Sequence, residues 1–135
     1  GLSTKHYDIA DIILTGVSRS GKTPTCLFLA LQYGIYAANY PLIDEDLNSI
    51  AIPSPLKPFK DKLYGLTINP VRLQNIRDVR RSNSGYASIE QCQKEVRRAE
   101  DMFVQNDISF IDTSHISIEE IAGRILQKSK LERRY

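Results

Sequence analysis

The chain carries little surplus charge of either sign. Eighteen Lys and Arg stand against sixteen Asp and Glu, a net charge of +2 over 135 residues. So small an excess excludes attraction to nucleic acid or to a membrane surface through bulk charge, and any partner has to be argued from a site. Cysteine is scarce too. Cys26 and Cys92 lie far apart, with no second Cys or His at metal-ligand spacing, so neither a zinc site nor a disulfide framework is expected and both read as reduced core residues. No apolar run approaches membrane-spanning length, and no charged-then-apolar leader opens the chain, so a soluble cytoplasmic protein is expected. Methionine is nearly missing. Met102 is the only one, so Gly1 reads as the start of a processed chain or of a piece cut from something larger. Internal repeats and low-complexity tracts are absent.

Against these absences one stretch is unusually specific. Gly16-Val17-Ser18-Arg19-Ser20-Gly21-Lys22-Thr23 fills every fixed position of the phosphate-binding pattern G-x-x-x-x-G-K-[ST]. The apolar run Ile12-Ile13-Leu14 before it reads as a buried parallel strand, and Cys26 to Leu31 after it as a helix. Strand, glycine loop and helix are what phosphate binding needs. The glycines let successive N–H groups point inward, and the helix adds the positive end of its dipole. In that reading Lys22 neutralises phosphate oxygens and the Thr23 hydroxyl ligates magnesium. All eight loop residues are candidate nucleotide contacts.

The remaining pattern predicts a three-layer α/β domain of the P-loop type over residues 11–135, preceded by a polar lead-in over 1–10 without a clear period. Strands are expected near Asp11–Thr15, Ile35–Asn39, Lys62–Ile68 and Ile108–Asp112. Helices are expected near Lys22–Tyr33, Asn69–Arg81, Ser88–Asn106 and from Ser117 onward, the last two opened by capping boxes. Pro24 falls in the first turn of its helix, where a missing N–H costs nothing. The stretch from Leu42 to Lys62, with Pro53, Pro55 and Pro58, reads as a loop holding at most one helical turn. About four mostly parallel strands with helices on both faces would gather the glycine loop, Asn39, Asn69 and Asp112 at the carboxyl ends of the sheet.

Phosphoryl transfer asks for a carboxylate to organise metal and for cations on the phosphate oxygens. Asp112, at a strand end, is the candidate carboxylate, with a loop or cap role as its alternative. Asp44 and Asp46 are rivals that also fit an exposed acidic turn. Arg19 in the loop is the candidate cation beside Lys22, since a guanidinium can hold two phosphate oxygens. Arg77, on the same basic helix as Arg80 and Arg81, is a further candidate cation but reads in preference as part of a solvated helix face. Arg80 and Arg81, beside Ser82-Asn83-Ser84-Gly85, are candidates for a mobile lid. His115, three residues past Asp112, is positioned as a general base or phosphate contact, although a lone loop histidine is usually neither. His6 reads as incidental, and no serine sits on a nucleophile elbow.

The loop in its extended form, Gly16 through Thr25, is followed by Leu29-Ala30-Leu31-Gln32-Tyr33-Gly34 and Ala37-Ala38-Asn39-Tyr40-Pro41. With Lys62 to Ile68, Tyr86-Ala87-Ser88, Ser117 to Ile121 and Arg133-Arg134-Tyr135, these segments resemble the bacterial phosphoenolpyruvate synthase regulatory protein family. The resemblance implies a bifunctional serine/threonine kinase and phosphorylase. Members use ADP to phosphorylate a threonine of phosphoenolpyruvate synthase (pyruvate, water dikinase), which inactivates it, and use inorganic phosphate to remove the group as pyrophosphate. A sister branch acts on pyruvate, phosphate dikinase. Together with the loop and strand-end reading above, the expected set is magnesium as cofactor, catalytic roles for Lys22, Arg19 and Asp112, and metal ligation by Thr23 and Asp112. Family members are about twice this length, and the chain resembles their C-terminal half, the nucleotide-binding one, with the N-terminal half absent. On its own it is expected to bind nucleotide or phosphate with little regulated catalysis; a homo-oligomer stays open. An ATP-dependent small-molecule kinase and a non-catalytic nucleotide-sensing module are the competing readings.

Overall fold

A computed structural model describes residues 5–80 and 88–129 of the chain. Arg81, the Ser82 to Ala87 tract, the tail beyond Ser129 and the side chains of His6 and Arg80 lie outside what is described.

Four parallel strands form the described sheet: β1 (Ile12–Gly16), β2 (Ala37–Pro41), β3 (Leu63–Thr67) and β4 (Phe110–Asp112), in spatial order β2-β1-β3-β4. The two central strands, β1 and β3, are buried at every position. That explains why neither alternates apolar with charged residues, because a parallel strand covered on both faces has no side left for them. Ile13, Ala38 and Leu63 point into one core with Leu73 of α4 (Pro70–Arg80) and Cys92, Val96, Ala99, Met102 and Phe103 of α5 (Ile89–Gln105). Ile12, Leu14, Tyr64, Leu66 and Ile111 point into a second core with Leu29 of α2 (Lys22–Tyr33) and Ile121, Ala122 and Ile125 of α6 (Ile118–Ser129). The result is the expected α/β layering, helices on both faces of an all-parallel sheet.

Local chemistry places the helix ends. Ser88 Oγ accepts from Gln91 N at 3.2 Å and Ser117 Oγ from Glu120 N at 3.1 Å, so each serine caps the helix that follows. Asn69 Oδ1 does the same for α4 through Val71 N at 2.8 Å. Pro24 stands in the first turn of α2, and the Gly34 N–H closes that helix on Ala30 O at 3.1 Å.

Two regions differ from the sequence expectation. The lead-in contains a short helix, α1 (Lys5–Ile9), anchored by Tyr7, which is 1 % exposed and packs against Tyr40 and Phe59. The stretch after β2 is built as well: α3 (Asp44–Leu47) and a 3-10 segment (Ser54–Lys62) kinked at Phe59, sewn to the core by Leu47, Ile52 and Leu56. Prolines exclude a long α-helix but not 3-10 turns, which is why the segment could be ordered without a helical period.

The chain leaves β1 toward β2 and then crosses back over β1 to β3, so the connections from β1 and β3 diverge. A crevice opens at their carboxyl ends, as the topology of open α/β sheets requires.

Candidate functional site: a glycine loop between β1 and α2

The glycine loop runs across the crevice, and its two fixed glycines serve different ends. A Cβ at Gly16 would run into the Leu66 carbonyl oxygen of β3, so glycine there permits the close approach of two strands. Gly21 has φ 98°, a left-handed conformation that turns the chain into α2, and a Cβ there would meet nothing. Arg19 also has positive φ, 73°, which is uncommon outside glycine and marks held backbone.

The loop carbonyls are drawn toward the protein. Gly16 O accepts from Leu42 N at 2.9 Å, and Val17 O from Lys22 Nζ at 2.6 Å and Ser20 Oγ at 2.8 Å. Ser18 O accepts from Arg77 Nη2 at 3.0 Å, Ser20 O from Thr113 Oγ1 at 3.0 Å, and Gly21 O from Thr25 Oγ1 at 2.7 Å. In a planar trans peptide the N–H opposes the C=O. Tying back the oxygens of residues 17, 18, 20 and 21 therefore turns the N–H groups of Ser18, Arg19, Gly21 and Lys22 away from those donors. The Arg19, Gly21 and Lys22 amides are thereby left for an anion, whereas the Ser18 N–H is turned away from Lys22 Nζ.

A cleft of about 390 Å³ lies on the loop, lined by Ser18, Arg19, Gly21, Lys22, Thr23, Pro24, Asn39, Pro41 and Ile76. Lys22 is 4 % exposed, and burial lowers its pKa to about 8, with further lowering from the nearby Arg77 and Arg19 charges. Arg19 and Thr23 are exposed at the cleft. Thr23 Oγ1 accepts from Asn39 Nδ2 at 3.0 Å, while Asn39 Oδ1 is buried with no hydrogen-bond partner. The side-chain donors at the cleft for an anionic ligand are Lys22, Arg19 and the Thr23 hydroxyl, which also keeps a lone pair for a metal ion, whereas Asn39 Oδ1 is an acceptor.

Arg77 corrects the sequence reading. It is 0 % exposed, paired with Glu95 of α5 at 2.9 Å, and not part of a solvated face. The signal that could have found it is a glutamate on the buried stripe of α5, beside Cys92 and Val96.

The other candidate residues stand apart from the cleft. Asp112 is exposed at the end of β4, where its Oδ1 accepts from Ser114 N at 2.8 Å and Ser114 Oγ at 2.5 Å. Ser114 Oγ in turn accepts from Asn69 N at 2.7 Å, so Asp112 and Asn69 meet through one hydroxyl. Asp46 accepts from Ile43 N at 3.1 Å at the start of α3, Asp44 is exposed beside it, and His115 is exposed on the turn after β4. No group of three His, Cys, Asp or Glu side chains is placed to hold a metal among the described residues. Cys26, in the first turns of α2, has its thiol pushed up to about 11 by burial. No helix among the described residues is long and apolar enough to cross a membrane.

Fold and loop together define an α/β protein with a glycine loop at the topological switch of a parallel sheet. The chain belongs to the kinase/pyrophosphorylase family, whose family model matches residues 1–126. Three curated relatives named phosphoenolpyruvate synthase regulatory protein illustrate the likeness. That of Stutzerimonas stutzeri is 55 % identical over 134 residues, 99 % of this chain and 49 % of the relative. That of Neisseria gonorrhoeae is 59 % identical over 135 residues, 100 % of this chain and 50 % of the relative. That of Alkalilimnicola ehrlichii is 60 % identical over 134 residues, 99 % of this chain and 49 % of the relative. The chain thus spans about half the length of the curated relatives it matches.

Proposed function

We propose that this chain is the phosphate- and nucleotide-binding part of an enzyme that regulates phosphoenolpyruvate synthase by moving a phosphoryl group on and off a threonine, with ADP as donor and inorganic phosphate as acceptor. The observation that carries the phosphate-binding half of this reading is the loop, with its carbonyls tied back and its amides, Lys22 and Arg19 around one cleft. The names of the relatives support the choice of partner, and the family description supports chemistry in both directions.

The forward step forms a bond from the threonine oxygen to the β-phosphorus of ADP and releases AMP, the hydroxyl proton going to solvent or a base. In the reverse step an oxygen of inorganic phosphate bonds to the phosphothreonine phosphorus, pyrophosphate forms, and threonine leaves as the alcohol with a proton. Both steps move one phosphoryl group between oxygen atoms, so a single cradle serves both. Lys22 and the loop amides hold the charge of the moving group, and Arg19 clamps its free oxygens. Magnesium fits as a companion of the nucleotide phosphates, since the cleft offers it the Thr23 hydroxyl and no carboxylate. Bound there, it would neutralise phosphate charge, while Asp112, outside the cleft lining and engaged by Ser114, is not placed beside it.

Calorimetry of the chain with ADP and magnesium is expected to show binding that Lys22→Ala abolishes. The N. gonorrhoeae relative, supplied with labelled ADP and the synthase, is expected to label a threonine and to release pyrophosphate once phosphate is added. No heat with the chain, or label from ATP but not from ADP, would overturn the reading.

A further inference from the structure

The phosphate loop is gripped from the protein interior by an ion pair whose members look, in sequence, like surface residues. Arg77 of α4 is fully buried, and its guanidinium donates to Glu95 Oε1 at 2.9 Å, to Glu95 Oε2 at 3.2 Å and to Ser18 O at 3.0 Å. Glu95 is itself buried and accepts from Gln91 Nε2 at 2.8 Å, so the carboxylate that orients the guanidinium is oriented in turn.

A buried pair of this kind is a poor way to gain stability, because apolar side chains of similar volume usually serve as well. What an apolar pair cannot supply is a donor to Ser18 O. The peptide that begins with that oxygen ends in the N–H of Arg19, and Arg19 is the loop's non-glycine residue with left-handed backbone, φ 73°. Left-handed backbone at such a residue persists only where its surroundings hold it. A lysine at position 77 would keep the charge but lose the planar fork that reaches two partners at once.

We propose that Arg77, held by Glu95 and Gln91, is a positioning residue that sets the Ser18–Arg19 peptide so that the Arg19 N–H and side chain face the terminal phosphate of a nucleoside diphosphate, or inorganic phosphate. The inference rests on the reading of the loop as a phosphate cradle and adds the device that shapes it. Arg77 touches no ligand; it acts through the backbone of Ser18.

The test uses the chain with Arg77→Met and Glu95→Leu together, and separately with Arg77→Lys. The double variant is expected to fold with a Tm near that of the wild type. It is expected to bind ADP and inorganic phosphate about ten- to a hundredfold more weakly, the size of one lost hydrogen bond to a charged donor. Arg77→Lys is expected to lose affinity as well. In NMR spectra the backbone chemical shifts of Arg19, which report its left-handed conformation, are expected to move toward averaged values while the amides of β1 and β3 keep their shifts and exchange protection, a pattern that general destabilisation does not produce. A folded double variant with wild-type affinity and unchanged backbone chemical shifts at Arg19 overturns the proposal. Should the double variant not fold, Gln91→Ala and Arg77→Lys carry the same two readouts. If the wild type binds neither ADP nor phosphate, the cradle reading fails by itself, and the backbone chemical shifts of Arg19 still judge the grip.

Discussion

Lys22 Nζ donates to Val17 O across 2.6 Å, so the cation of the glycine loop is bonded to the loop's own backbone. Burial holds its pKa at about 8, below its ordinary value. A phosphate in the cradle favours the charged form, so above that pH the free protein must take up a proton in order to bind. ADP affinity is expected to be level below about pH 8 and to fall up to tenfold per pH unit above it. Calorimetric titrations at several pH values check this, and a level profile through pH 9 would refute it.

The same side chain trades stability for function. Its folded-state pKa, about 8, is below the unfolded 10.5, so the unfolded chain holds this proton more tightly. The charge therefore lowers stability at neutral pH, and the loss is relieved as pH rises from about 8 toward 10.5. Lys22→Met is expected to stabilise the fold at pH 7 by about 1–2 kcal/mol, out of a cost of up to about 3 kcal/mol, the remainder being the lost bond to Val17 O. ADP binding should vanish in the same variant. Urea melts beside calorimetry decide it.

The two loop glycines should fail differently. Gly16→Ala drives a methyl group into the Leu66 carbonyl and is expected to cost ~3 kcal/mol or more, with loss of soluble protein. Gly21→Ala meets open space and pays only for its positive φ, about 1–2 kcal/mol. Denaturant melts of the two variants check the order, and a Gly16→Ala protein as stable as Gly21→Ala would contradict it.

Thr23 and Asn39 should control the response to magnesium. Thr23 is exposed, so Thr23→Val should leave the fold intact while removing most of the gain in ADP affinity that magnesium brings. Asn39→Ala removes the donor that orients the Thr23 hydroxyl and is expected to produce a smaller loss of the same kind. Titrations with and without magnesium measure both. An unchanged magnesium effect in Thr23→Val would remove Thr23 from the metal site.

Neither thiol should react readily near neutral pH. The Cys26 thiol is pushed up to about 11 and the Cys92 thiol is raised, both chiefly by burial, so little thiolate is available for attack. Native protein with an alkylating reagent is expected to stay unlabelled on a timescale in which the unfolded chain labels fully. Rapid labelling of Cys26 would show that the first turns of α2 open.

Much of the fold was legible because the signals were local. The glycine pattern, Pro24 in a first turn, and the serines that cap α5 and α6 each act through atoms a few residues away. The apolar run Ile12-Ile13-Leu14 identified β1 for the same reason. Tyr7 was not legible, because the two rings that bury it come from residues 40 and 59. Nor was Arg77. On α4 alone it joins a row of arginines, and its partner Glu95 lies 18 residues away on another helix. Asp112 was correctly placed at a strand end, but one oxygen is taken by Ser114, a bond that strand patterning does not reveal.

The sequence alone determined the class of fold, the strand–loop–helix unit and five of the loop residues that line the cleft, Ser18, Arg19, Gly21, Lys22 and Thr23, since each follows from patterns within one segment; Gly16, Val17 and Ser20 do not line it, and Asn39, Pro41 and Ile76 reach it from β2 and α4. Only the tertiary structure decided how the loop is held. Leu42, Arg77 and Thr113 come from distant parts of the chain to tie back its carbonyls, and the direction of an amide depends on what grips the oxygen on the far side of its peptide plane.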